Sequence, residues 1–172
     1  MIKVPIEVKI PKIEIRHKGI YDLDTIYKTI RKWFKVREYD YNEKRYKDKK
    51  ADYGNEVEHV MQGEIKITDF VKFNIEIETK FYGVKEFDGE IAGEKRKVNK
   101  GQFCITLTGA ATYDYKNNFG GPTAQKFLKL LVTKILKNYY DVKYTNKLYY
   151  EIYNLQTELK KQAIMETKTN AY

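Results

Sequence analysis

The side chains that could hold a metal or move a proton are few and scattered. His17 and His59 lie far apart, each among alternating strand-like residues. The closely spaced Cys and His ligands of a metal site are missing, so no metal and no cofactor are expected. Cys104 alternates with Phe103 and Ile105 and has no basic neighbour on its own face. A catalytic thiol needs a histidine or a helix start beside it. Cys104 therefore reads as a small half-buried residue, unless the fold brings His59 against it. Glu76 and Glu78 share one strand face, and paired carboxylates do acid–base work when one pKa is raised. Lys72 and Lys80 flank them on that face, which describes a charge-balanced sheet surface. An enzyme is the last of the available readings.

A glycine-rich turn feeds an apolar helix in FGGPTAQKF, a pattern that can hold an anion through Gly120, Gly121 and Lys126. The order and spacing of a phosphate-binding Walker loop are missing. Pro122 suits the first turn of a helix, where its absent N–H costs nothing, and Thr123 is a second cap candidate. The stretch reads as the corner where a strand hands over to a helix.

The net charge is +9, from 33 Lys and Arg against 24 Asp and Glu. Most of it is lysine spread along the chain, as AT-rich codons would produce. One segment concentrates it: Arg37, Lys44, Arg45, Lys47, Lys49 and Lys50 interleave with Tyr39, Tyr41 and Tyr46. Cations neutralise phosphates and tyrosines stack on bases, so residues 37–50 are the candidate nucleic-acid or ribosome contact.

The elements that would position these groups are legible from periodicity. Alternation over Ile2–Ile10 gives a strand with one apolar face, and Pro5 argues for a sheet edge. After Pro11 the apolar parity shifts to Ile13 and Ile15, which requires a bulge or bend. Leu23, Ile26, Tyr27, Ile30, Trp33 and Phe34 recur at helical spacing behind Asp22, a helix cap. Residues 36–46 read as a polar edge strand, 47–55 as a loop and 56–62 as a strand. Strong alternation follows over 65–81, with a bulge or turn at Asp69, and again over 103–115. Gly109 on the apolar face leaves room for a bend or a closely packed helix.

Two amphipathic helices close the chain. Residues 123–140 place Phe127, Leu128, Leu131, Val132, Ile135, Leu136 and Tyr139 on one side. Tyr144, Leu148, Ile152, Leu155 and Leu159 then repeat by fours and threes, a short coiled-coil-like seam widened by Tyr149 and Tyr153. The expectation is one α+β domain over residues 1–172: a mainly antiparallel sheet with one helix in the N-terminal half and two C-terminal helices on one face. The last stretch, about eight residues, reads as a frayed tail. The outline resembles helix-grip folds, which enclose apolar ligands, so a cavity between sheet and helix is a further candidate.

With 172 residues and 42% hydrophobic content the chain can bury a core. One cysteine excludes an internal disulfide and fits a reducing compartment. No apolar run is long enough to span a bilayer, and the N-terminus lacks the apolar centre of a signal peptide. A cytoplasmic protein is expected, assembling with copies of itself or with another protein through its last helix.

Tyr21-Asp22-Leu23, Trp33, Thr68-Asp69-Phe70-Val71, Asn99-Lys100-Gly101, Asp114-Tyr115 and Lys147-Leu148-Tyr149-Tyr150 occur in that order. This succession resembles a group of small archaeal proteins of unassigned function. The resemblance covers most of the chain, implies an archaeal origin and brings no catalytic residue with it.

Overall fold

The computed structural model describes residues 6–91 and 94–169, with the side chains at 90, 91, 94 and 163–169 excepted. Residues 2–5, including Pro5, lie outside the described residues. The strands are β1 (Ile6–Lys9), β2 (Ile13–Tyr21), β3 (Asp40–Lys49), β4 (Asn55–Lys66), β5 (Val71–Ile91) and β6 (Glu94–Tyr113). They form one sheet in the order β1-β6-β5-β4-β3, with β2 also paired to β6, and every described pair is antiparallel.

β1 and β2 follow one another along the same edge of β6. Lys9 pairs Ala110 and Ile13 pairs Leu107. Four steps on one strand therefore meet three on the other. The extra residue around Pro11 is the expected bulge, and it turns Ile15 inward as Ile10 was. At the other end β3 is an edge strand over Asp40–Lys49, starting four residues later than the polar strand expected, because Val36 still belongs to α1, and reaching three residues into the expected loop. Its register slips between Glu43 and Arg45, so Tyr46 faces the same side as Glu43. The stretch around Asp69 is a tight turn: Thr68 Oγ1 accepts from the amides of Phe70 and Val71 at 3.1 and 2.9 Å.

α1 (Leu23–Val36) starts where Asp22 Oδ1 accepts from Thr25 N at 2.9 Å, satisfying an otherwise free amide. Its inward face is Ile26, Ile30, Trp33 and Phe34. The C-terminal region departs from two regular helices. It consists of α2 (Pro122–Leu130), a π-helical stretch (Leu131–Ile135), α3 (Lys137–Tyr140), a second π stretch (Asp141–Thr145) and α4 (Asn146–Thr169). The backbone of α4 is helical to Thr169, through most of the segment expected as a frayed tail.

The π stretches follow from the spacing of the inward residues. Leu128 and Val132, and then Tyr144, Leu148 and Ile152, are buried at steps of four on one count, although Leu136 on the same count is exposed. In an α-helix a four-residue step overshoots a full turn by about 40°. The wider π turns take that drift back and keep the stripe facing the sheet. From Leu148 to Leu159 the spacing becomes four, three, four and regular α-helix suffices.

The core lies between these helices and the face of the sheet carrying Val71, Phe73, Ile75, Ile77, Phe81, Phe103, Ile105 and Leu107. Two close approaches seat the helices. Phe34 of α1 overlaps the place a β-carbon on Gly63 would take, and Ile152 of α4 does the same at Gly109. At both points helix meets strand directly, with no layer between them for an apolar ligand.

Candidate functional site

The basic tyrosine-rich segment is largely engaged within the fold. Tyr39 is buried and its hydroxyl donates to Glu151 at 2.6 Å; burial, and after it this bond to a carboxylate, raises its pKa. Arg37 stacks 4.3 Å from the Trp33 ring centre and donates to Asn154 at 2.7 Å. Lys44 reaches Glu76 at 3.0 Å, and Arg45 pairs with Glu58 and lies 3.9 Å from Glu78. Glu76 and Glu78, the carboxylates with candidate acid–base spacing, are thus partners of β3 cations. Lys80 joins Glu78 at 2.9 Å and Lys72 joins Glu64 at 3.1 Å. Lys47 and Lys49 instead line a groove of about 220 Å³ with Glu56, Glu58, Lys80 and Tyr82. Tyr82 also lines a second groove of about 520 Å³, with Arg16, Lys18, Gln102 and Cys104. Lys50 is exposed.

Tyr41 and Tyr46 belong to a polar cluster beneath α1 that spacing alone does not reveal. His59 is buried in β4, its Nε2 3.3 Å from Glu43 Oε2. Tyr27 and Tyr46 close on its ring, with centroids at 5.1 and 5.4 Å. Tyr41 Oη and Arg31 Nη2 donate to Glu43 Oε1 at 2.9 and 2.7 Å. Partial burial pushes the Glu43 carboxyl up, but these hydrogen bonds outweigh it and hold its pKa low. Burial lowers the pKa of His59, against the pull of Glu43. Burial raises the Tyr27 hydroxyl to about 12. A neutral imidazole beside a carboxylate results. The register of β3 on β4 brings this pair together, and register is not readable from either strand alone.

Cys104 is on the other face of the sheet. It pairs with Lys80 and Arg16, whereas His59 pairs with Thr79 on the core face. The two are not brought together, and no thiol–imidazole pair forms. His17 lies against Phe103, with ring centroids 5.3 Å apart. No group of three or more His, Cys, Asp or Glu with metal-binding geometry occurs among the described residues.

At the glycine corner, Gly121 precedes Pro122 at the start of α2, and Gly120 and Lys126 are exposed. A carboxylate already serves the loop. The buried Asp114 accepts from the amides of Asn118 and Phe119 at 2.8 and 3.2 Å. Those two amides, which an anion could have used, are taken by the chain's own acid.

The last helix divides its residues between two roles. Tyr144, Leu148, Ile152, Leu155 and Leu159 are buried against the chain's own sheet, so the seam is filled intramolecularly. Tyr149 and Tyr153 face outward. The preceding segment reverses the expectation for its apolar side: only Leu128 and Val132 are buried, while Phe127, Leu130, Ile135, Leu136, Tyr139 and Val142 are exposed. Together these form a ridge along α2, α3 and the π stretches. Exposed apolar side chains scattered singly are ordinary, but a contiguous run marks a contact surface.

No family model and no curated protein matches the chain. No described helix is long and apolar enough to cross a membrane.

Proposed function

We propose that the protein is a non-enzymatic interaction module whose docking surface is the exposed ridge of α2, α3 and the intervening π stretches. The observation that carries this reading is the exposure of Phe127, Leu130, Ile135, Leu136, Tyr139 and Val142 within sixteen residues of the run from α2 to the second π stretch. Keeping that much apolar area in water is unfavourable by about 25 cal/mol per Å², which docking recovers. The seam Leu148–Leu159 does not serve, because it is already filled. The test compares the wild type with Phe127→Ser/Ile135→Ser by light scattering and by retention on a phenyl-derivatised column. The wild type should self-associate or be retained, and the double variant should do neither. Identical behaviour of the two proteins would sink the reading.

A second reading rests on Tyr82. It is exposed on the helix-free face of the sheet and joins two grooves lined by Arg16, Lys18, Lys47, Lys49 and Lys80. An aromatic between two grooves that together carry these five cations against Glu56 and Glu58 suits a single nucleic-acid strand. This moves the nucleic-acid contact from most of segment 37–50 to its far end and the neighbouring strands. Anisotropy of a labelled single-stranded RNA should report affinity that falls with salt and with Tyr82→Ala. Affinity indifferent to both would exclude it.

A further inference from the structure

We propose that the exposed ridge seats on an anionic lipid surface. The inference rests on the docking reading above and names the occupant. Its ground is the charge that accompanies the apolar residues. From Pro122 to Tyr150 the chain carries Lys126, Lys129, Lys134, Lys137, Lys143 and Lys147, all exposed, against the single acid Asp141. The apolar residues are strongly exposed among them, with Val142 at 71% and Phe127 and Ile135 each at 59%. Apolar residues flanked by lysines, with tyrosines nearby, make up a helix that lies in a membrane interface. The apolar side enters the acyl boundary while lysine stems reach back to the headgroups. Tyr139, Tyr149, Tyr150 and Tyr153 are also exposed, and tyrosine favours the headgroup level.

The same charge disfavours the other occupants. A symmetric contact between two copies brings the same patch against itself. Six lysines would then meet six lysines, with one aspartate on each side to offset them. A nucleic-acid strand would satisfy the lysines but leave the apolar side chains in water. An acidic protein would need a groove matched to a ridge interrupted twice by π turns, whereas a fluid bilayer conforms to any outline. The helix need not leave the sheet to bind, because Leu128, Val132 and Tyr144 stay buried while the ridge residues are already exposed.

The experiment is flotation of the full chain with vesicles of phosphatidylcholine alone and of phosphatidylcholine with phosphatidylglycerol, at low and high salt. The wild type should float with the anionic vesicles and much less with the neutral ones, and salt should weaken it. Each lysine neutralisation, Lys134→Gln for example, should lower partition by about fivefold, as expected for the loss of one cation at an anionic surface. Phe127→Ser/Ile135→Ser should lower it by at least about tenfold, from the lost apolar burial. Circular dichroism and Trp33 emission verify that each variant is folded. Equal flotation on both vesicle types, or none on either, overturns the inference. If no vesicle binds but the wild type forms an oligomer that the double variant loses, the ridge is a protein contact: the lipid inference falls and the docking reading stands. If the double variant matches the wild type in vesicle binding, oligomeric state and column retention, both fall.

Discussion

Gly63 and Gly109 stand in one cross-strand row, on either side of Ile75, and each has a helix side chain in the place of its missing β-carbon. Phe34 of α1 sits on Gly63 and Ile152 of α4 on Gly109. The two helices are thus held astride β5 at the same level of the sheet. An added methyl should be destabilising at both positions, and not equally. At Gly63 it meets the ring of Phe34, which is packed edge-on by Trp33 and Tyr39. At Gly109 it meets the terminal methyl of Ile152, which can rotate away. Gly63→Ala should cost roughly 1–3 kcal/mol and Gly109→Ala less. Ile152→Val should recover part of the second loss and none of the first. Urea melts measure all three, and an equal cost at the two glycines would refute this account.

Much of this frame was readable in advance. The parity change at Pro11 became a one-residue register slip, Asp22 became the cap of α1, and Gly109 became the seat of a helix. These features are local, so a short window of sequence carries them. The candidate surface was harder. A helical apolar stripe states that something covers it and does not state what. The Leu148–Leu159 stripe is covered by its own sheet, and the residues around Phe127 and Ile135 are not. The steps of four at Leu128–Val132 and at Tyr144–Leu148–Ile152 were present in the sequence and are the signal that could have pointed to the π stretches, although the exposed Leu136 interrupts the count. The His59–Glu43 pair depends on register between two strands, which no single strand encodes.

His59 makes stability depend on pH. Its pKa in the folded chain lies below the usual 6.5 because burial disfavours the imidazolium. The groups facing it are Glu43, Tyr41 and Tyr46 from β3 and Tyr27 and Arg31 from α1; only Glu43 favours the charged ring. Above pH 6.5 the ring is neutral whether folded or not, and it imposes no proton-linked cost. As pH falls below 6.5 the unfolded chain takes up a proton that the folded chain refuses, so stability declines. One such group contributes a slope of at most about 1.4 kcal/mol per pH unit. Denaturant midpoints between pH 7.5 and 5.5 should therefore fall, and His59→Gln should flatten that part of the profile. Glu43, with its pKa held low, adds a further loss below the usual carboxylate range.

Asn154 ties α4 to α1. Its Oδ1 accepts from Trp33 Nε1 at 3.1 Å and from Arg37 at 2.7 Å. Asn154→Ala leaves a buried indole N–H without its acceptor, at a cost of about 1 kcal/mol. Trp33 is the only tryptophan, so the emission reports the surroundings of this one indole. The variant should shift the emission while leaving far-ultraviolet circular dichroism intact. An unchanged spectrum would mean that the indole is held by its ring contacts with Phe34 and Tyr39 instead.

The last prediction separates packing from docking on neighbouring helices. Leu155 is fully buried and Ile135 is exposed. Leu155→Ala removes core volume beside the sheet and should cost roughly 2–5 kcal/mol, with no change in association so long as the chain is folded. Ile135→Ser touches no buried group and should leave stability within about 0.5 kcal/mol, while association with vesicles or partners drops. Stability from urea melts and association from flotation and light scattering give two independent axes. Should Leu155→Ala instead abolish association at temperatures where the protein remains folded, α4 would be part of the contact surface, and the helix would have to leave its sheet to make that contact.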